Sequence, residues 1–305
     1  MSFAIDEAFV TKFQSDWHYA AAHQPSRLER FVTNKGQFTG EAMAIDVLNS
    51  ADATELIARH QDTPFMNTPN ARRFADVRDF VWADLVDRQD QAKTLVDPTN
   101  GYSRRSREAL NRKKDQTIID SFSAAIRTKT GTASLPAAQQ IAQGGTALTL
   151  AKIRQAVLLL NAAEMDDSSF FQQNGLVQAQ PSVALPQTSA SYVIALSAKQ
   201  MDALLGDTTL TDQDFNVVKA LVSGTVNTFL NCYFVRTELL PLAASNRKCY
   251  VWAPRAIEFG TNMDPSVIIN QRPDKNNAWQ VYAEGSFASG RAEDAGVVEV
   301  NCLET

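Results

Sequence analysis

Residues 97–120 read DPTNGYSRRSREALNRKKDQTIID, and the change of texture inside this stretch decides how the chain is organised. Asp97, Pro98, Thr99, Asn100 and Gly101 form a turn cluster, because Pro fixes φ, Asx side chains bond to their own backbone and Gly accepts any φ. From residue 103 to 129 the apolar residues take the helical period, with Leu110, Ile118, Ile119, Phe122 and Ile126 on one core stripe. Arg104, Arg105, Arg107, Arg112, Lys113 and Lys114 crowd positive charge into the first half of this helix, where the macrodipole favours acids. Such a run is a solvated face, a contact with an acidic patch on a neighbouring subunit, or a contact with a nucleic-acid phosphate backbone.

Upstream the helical period gives way to alternation. Within residues 36–100, Met43, Ile45 and Val47 stand on one side of a strand, and Val77, Val81 and Leu85 follow along a second extended run. A polar stretch with Pro64 and Pro69 separates them, which predicts a long hairpin. With so few aliphatics it cannot bury enough surface to stand alone, so it is expected to project and dock on something. Residues 1–35 predict a short amphipathic helix and then an arm: Phe9, Phe13 and Trp17 share a helical face, and Pro25 stops it. That aromatic stripe needs a cover, either this chain's core or a neighbour's.

Downstream, Gly131, Pro136, Gly144 and Gly145 punctuate a loop before a helix over 150–165 with Leu150, Ile153, Val157 and Leu160 at core spacing. Residues 191–196 read as an apolar strand, and Ser197 with Gln200 forms a capping box that starts a helix carrying Met201, Leu204 and Leu205. Thr211 and Asp214 start a further helix with Phe215 and Val218, which Gly224 terminates. Strands are expected at 229–235, 249–252, 267–270, 279–287 and 297–302. Helices and strands are interspersed without a strand-helix-strand cadence, so the fold class is α+β.

The composition of the 305 residues, 44% apolar and 21% charged, excludes collagenous, low-complexity and disordered classes. A formal charge of −5 is the wrong sign for a protein whose whole surface grips nucleic acid or anionic lipid. No apolar run approaches the roughly 20 residues of a membrane-spanning helix, and MSFAIDEAF lacks the features of a secretory leader, so a soluble, cytoplasmic setting is expected. Cys232, Cys249 and Cys302, each beside apolar residues, predict reduced, buried thiols. No nucleophile elbow, dinucleotide turn or phosphate loop is present. His18 and His23 lie five apart, which does not stack two imidazoles on one helical face. Ser245-x-x-Lys248 and Lys129-Thr130-Gly131 match two elements of serine acyl transferases in the reverse order, with no S-D-N between them. Glu164, Asp166 and Asp167 fall at a helix end and are expected in solvent. Catalytic, cofactor and metal sites are therefore all read as none.

Six stretches, 9–28 (FVTKFQSDWHYAAAHQPSRL), 74–84 (FADVRDFVWAD), 97–120, 148–165, 192–215 (YVIALSAKQMDALLGDTTLTDQDF) and 279–300 (WQVYAEGSFASGRAEDAGVVEV), carry a resemblance in order and texture. The chain resembles the major capsid proteins of tailed bacteriophages of the Caudovirales type, the Hong Kong 97 fold. The resemblance implies an N-terminal arm over 1–35, an extended E-loop over 36–100, a peripheral domain with a long spine helix over 101–189, an axial domain over 190–261 and a return to the peripheral domain over 262–305. It implies a structural head protein and not an enzyme, which self-assembles into hexamers and pentamers as an icosahedral shell around packaged double-stranded DNA.

The same resemblance implies a virion location after assembly in the host bacterial cytoplasm, enclosure of DNA without sequence-specific binding, no membrane, and a portal as partner. The arm begins at residue 1, leaving no room for the scaffolding extension that some members cleave, so a separate scaffolding protein is expected, with a decoration protein as a further candidate. The lysine and asparagine that crosslink in certain members have no motif match, and no covalent chemistry is carried over. Phe13 and Trp17 are expected to be buried only in the assembly, and Arg104, Arg105 and Arg112 to pair with Asp79, Asp84 or Asp87 of an adjacent hairpin. An encapsulin-like nanocompartment of the same fold, holding protein cargo, is the alternative; a hydrolase would need a pocket uniting Ser245 with Lys248.

Overall fold

A computed structural model describes residues 26–48, 70–87, 98–166, 190–205 and 228–304, with positions 53, 55, 62, 65, 68 and 170. A 3₁₀ turn, Glu29–Phe31, leads into β1 (Thr33–Gln37), β2 (Ala42–Leu48), β3 (Asn70–Asp76), β4 (Arg78–Val86) and the helix α1 (Pro98–Ser123). Then come β5 (Ile126–Thr128), β6 (Thr132–Ala133), β7 (Gln140–Ile141), α2 (Leu150–Ala162), β8 (Tyr192–Leu196) and α3 (Ala198–Leu205). The chain ends through β9 (Thr228–Phe229), β10 (Cys232–Arg236), β11 (Leu242–Ala243), β12 (Asn246–Trp252), β13 (Ile257–Arg272), β14 (Ala278–Arg291) and β15 (Val297–Leu303). The mixture of helix and strand is the α+β class expected from the sequence.

Three sheets organise these elements. A four-stranded sheet runs β1, β13, β14, β4, with α1 packed on β14. A seven-stranded sheet runs β7, β15, β12, β8, β10, β9, with β11 beside β12. All five residues of its β8, YVIAL, are buried, because a central strand covered on both faces must be apolar throughout rather than alternating. The third sheet, β2, β3, β5, β6, is the hairpin and its root. One large core joins α1 to the seven-stranded sheet: the Phe122 ring lies 4.9 Å from that of Tyr250 and 4.7 Å from that of Trp252, whose Nε1 donates to the Phe31 carbonyl at 3.0 Å. A second, small core holds Met43, Ile45, Ala75, Ile126 and Ala288 where the hairpin sheet meets β14. Gly290 permits that approach, since a Cβ there would stand 2.8 Å from Ile126 Cδ1 and 2.9 Å from Ile45 Cδ1.

Several sequence expectations are corrected. Pro98 opens α1 instead of closing a turn, as suits a residue with preset φ and no N–H at a first helical position. The helix ends at Ser123, before Ile126, because the chain reverses into β5; Ile126 still joins the core from a strand. The partner of Ala42–Leu48 is Asn70–Asp76, paired from Ala42↔Asp76 to Leu48↔Asn70, whereas the run with Val81 is a separate strand on β14. On that strand Phe80, Trp82 and Val86 face inward, while Val81 is 61% exposed. The single strand expected over 229–235 is broken by a tight turn with Leu230 and Asn231 at positive φ. Ser197 does cap α3, accepting from the Gln200 N–H at 3.3 Å, but Gln200 does not reciprocate. Its side chain accepts from Leu148 N at 2.7 Å and donates to the Leu303 carbonyl at 2.9 Å.

β13 and β14 lie in the sheet against α1, while β15 lies beside β12 in the seven-stranded sheet, where α2 packs on it. β15 carries the buried run Val297–Val300, which a strand inside a covered sheet accommodates. The expected N-terminal helix with Phe13 and Trp17, the helix over 211–224, and all three histidines fall outside the described residues.

Candidate assembly surfaces

Beside its small apolar core, the hairpin is fastened to the body by a charged cluster. Arg73 on β3 donates from both terminal nitrogens to the two oxygens of Asp294, at 2.8 and 2.9 Å. Asp294 also accepts from Nε of Arg291 at 2.9 Å. Arg291, fully buried, spends its remaining donors on the Ser121, Phe122 and Ala124 carbonyls at the end of α1, at 3.2, 2.9 and 2.7 Å, and on the Ala133 carbonyl at 3.1 Å. A cation on the last carbonyls of a helix meets both their unsatisfied lone pairs and the negative dipole end. Burial pushes the Asp294 carboxyl up, but the hydrogen bonds from Arg73 and Arg291 outweigh it and hold it below the ordinary value. Beyond this root the hairpin thins out: Met43 and Ile45 are buried, and Leu48 is 75% exposed.

The chain enters the body at Ser26, where buried Asp115 on α1 accepts from Ser26 Oγ at 2.6 Å and from the backbone N–H groups of Arg27 and Leu28 at 3.1 Å. Lys114 beside it reaches Glu29 at 3.2 Å. Neither Asp115 nor the Arg73, Asp294 and Arg291 set was read from the sequence, because each acts across a large separation that no local spacing announces.

The basic half of α1 is partly neutralised within the chain. Arg104 and Arg105 both pair with buried Glu108, at 3.4 and 2.8 Å. Arg107 and Arg112 are exposed. Arg112 rims a groove of about 300 Å³ between α1 and β4, floored by Phe80 and Trp82. Of the acids expected opposite these arginines, Asp79 accepts from Ser286 Oγ at 2.5 Å, Asp84 accepts from Leu85 N at 2.9 Å, and Asp87 is exposed. All three stand on or just beyond β4, not on the projecting β2 and β3 pair.

The residues considered for hydrolysis do not form a site. Ser245 is exposed in the turn between β11 and β12, and Lys248 is held by Glu299 at 3.0 Å. Lys129 and Gly131 lie in the turn between β5 and β6, in another sheet. Cys232, Cys249 and Cys302 are free and buried, and burial pushes the Cys232 thiol up to about 12. Among the described residues no three His, Cys, Asp or Glu side chains are grouped to hold a metal ion, and no helix is long and apolar enough to cross a membrane.

What these surfaces serve follows from comparison with known proteins. A family model described as Phage capsid protein matches residues 5–304. The chain belongs to the phage capsid protein family. It is a structural shell protein and not an enzyme. No curated protein matches its sequence, but solved capsids share its fold. The capsid of Ralstonia phage GP4 superposes with a TM-score of 0.73 at 11% identity, over 97% of this chain and 95% of that one. The capsid of cyanophage P-SCSP1u gives 0.65 at 17% identity, over 97% and 94%. The capsid of a native GTA particle, computed with C5 symmetry, gives 0.64 at 10% identity, over 99% of each. The capsid fold expected from the sequence, the Hong Kong 97 type, is therefore the fold of this capsid protein, and the encapsulin alternative is not favoured.

Proposed function

We propose that this capsid protein closes into pentamers and hexamers that tile an icosahedral shell around packaged double-stranded DNA in the virion of a tailed phage, assembled in the host bacterial cytoplasm. Heterologous contacts whose rotation closes give rings, and weaker contacts between rings give a shell. The observation that carries this reading is the hairpin: its root is clamped by Arg73 and Asp294 while its far end presents Leu48 to solvent, as suits an element that lies across a neighbour. In the same reading residues 1–35 form an arm whose Phe13 and Trp17 dock on an adjacent copy, 36–100 the E-loop, 101–189 the peripheral domain with α1 as its spine helix, 190–261 the axial domain, and 262–305 the return to the peripheral domain. Arg104, Arg105 and Arg112 of one copy meet Asp79, Asp84 or Asp87 of the next.

A net charge of −5 suits a container whose DNA must slide in and leave, since a strongly cationic lining would hold it through phosphate contacts. A separate scaffolding protein, a portal and a decoration protein complete the partners. Negative-stain microscopy of the expressed protein, with and without a candidate scaffolding protein, tests this. Closed shells are expected; a protein that stays monomeric under both conditions contradicts the reading.

A further inference from the structure

A groove of about 870 Å³ opens where the arm root, the hairpin and β13 meet. Its charged lining is Glu29, Asp46, Glu258 and Glu293 against Arg30 and Arg255. Three of these acids are met by cations from outside the lining: Lys114 reaches Glu29 at 3.2 Å, Arg72 reaches Asp46 at 2.5 Å, and Lys35 reaches Oε1 of Glu258 at 3.1 Å. Two anionic positions are left over. Glu258 is only 8% exposed, and its Oε2 is buried with no hydrogen-bond partner. Glu293 is exposed and takes no ion pair among the described residues. A buried carboxylate with one oxygen lacking a donor is unfavourable, and a cation held at the groove mouth would offset its charge. A guanidinium suits best, because its forked donors reach two carboxylates at once.

This chain carries such a group on the opposite-sign surface of α1. Arg104, Arg107 and Asn111 lie at helical spacing on one face. Arg104 is engaged by Glu108, but Arg107 is exposed and has no acid partner among the described residues. Its own groove is out of reach. Lys114 already stands at that groove's rim on Glu29, and Arg107 lies two turns earlier, about 10 Å back along the helix at 1.5 Å per residue. A second copy of the chain can supply the complement.

We propose that the groove is a docking site for a second copy of this chain, which inserts Arg107 of its α1 against Glu258 and Glu293. The contact is heterologous, joining two different surfaces, and is of the kind that closes rings; it rests on the shell reading above and names one interface within it. The test uses the purified full-length chain and three variants, Arg107→Glu, Glu293→Lys and the two combined, followed by sedimentation velocity at low and high salt. Both altered residues are exposed, so thermal midpoints are expected to stay near wild type.

Each single reversal is expected to weaken self-association by about tenfold or more at low salt, and the combined reversal to restore it. Glu258→Gln, which keeps shape but removes charge, is expected to weaken it in the same direction. Unchanged association in the single variants, or a combined variant as weak as the two losses added, overturns the docking site while shells that still form leave the capsid reading intact. A wild-type chain that does not self-associate at all contradicts both.

Discussion

Arg73 and Asp294 meet in two parallel hydrogen bonds, 2.8 and 2.9 Å long, across 221 residues of sequence. They tie the second strand of the projecting hairpin to the segment that follows β14, and Arg291 carries the link on to the end of α1. The hairpin's direction is thereby fixed by charge at a root whose apolar core is small. Asp294→Asn should remove about 1.5–3 kcal/mol of stability, the range for hydrogen bonds to charged groups. The loss should appear as faster amide exchange across β2 and β3, with the seven-stranded sheet unchanged; uniform acceleration over the whole chain would contradict a local clamp.

Asp115 performs a similar task for the arm. It accepts from one hydroxyl and two backbone N–H groups, so Asp115→Ala leaves those donors without this acceptor. Tryptic cleavage at Arg27 and Arg30 should accelerate, with a stability loss of about 1.5–3 kcal/mol. Unaltered cleavage at those arginines would show that other contacts hold the arm root.

The sequence made the large features legible and left these links hidden. Leu110, Ile118, Ile119 and Phe122 were visible as a core stripe because burial on a helix repeats locally, and all four are buried. The hairpin's second strand, NARRFAD, was missed because one face of it is solvated and little apolar patterning remains. Phe80, Val81 and Trp82 are all apolar, so alternation cannot tell which row of that strand points inward. The charged clamps were invisible for a different reason: Arg73, Asp294 and Arg291 are brought together only by the packing of separate sheets.

Acid should act on the chain's end. Arg247 donates to both oxygens of Glu304, at 3.0 and 2.7 Å, and Ser197 donates at 2.9 Å. The Arg247 hydrogen bonds, helped by those from Ser197 and Gln200 against burial, lower the Glu304 carboxyl to about 2. A carboxyl depressed in the folded state contributes stability that is present above its unfolded value, near 4.3, and is lost as pH falls through about 2. Thermal midpoints should therefore fall more steeply for wild type than for Glu304→Gln between those limits. Parallel curves would contradict the pairing. At neutral pH, Glu304→Ala leaves the buried Arg247 guanidinium with the exposed Glu238 at 3.6 Å and the Leu240 carbonyl at 2.8 Å, and should cost about 3 kcal/mol.

Arg112 separates assembly from folding. It is exposed on the rim of the groove beside β4, so Arg112→Glu should change monomer stability by no more than about 0.5 kcal/mol. Ring formation should nevertheless be blocked, read by sedimentation of the variant beside wild type. Normal rings would remove Arg112 from the contact with Asp79, Asp84 or Asp87 of a neighbour.

The central claim is that the hairpin and the basic half of α1 are left uncovered in one chain and covered by other copies in a closed particle. Hydrogen exchange measured on the isolated protein and on sedimented particles, over residues 42–48, 70–76 and 98–112, tests it most directly. The account predicts a gain of protection in these three segments on assembly, with β8 equally protected in both. Identical exchange in the two states, or the failure of any particle to form, would contradict it.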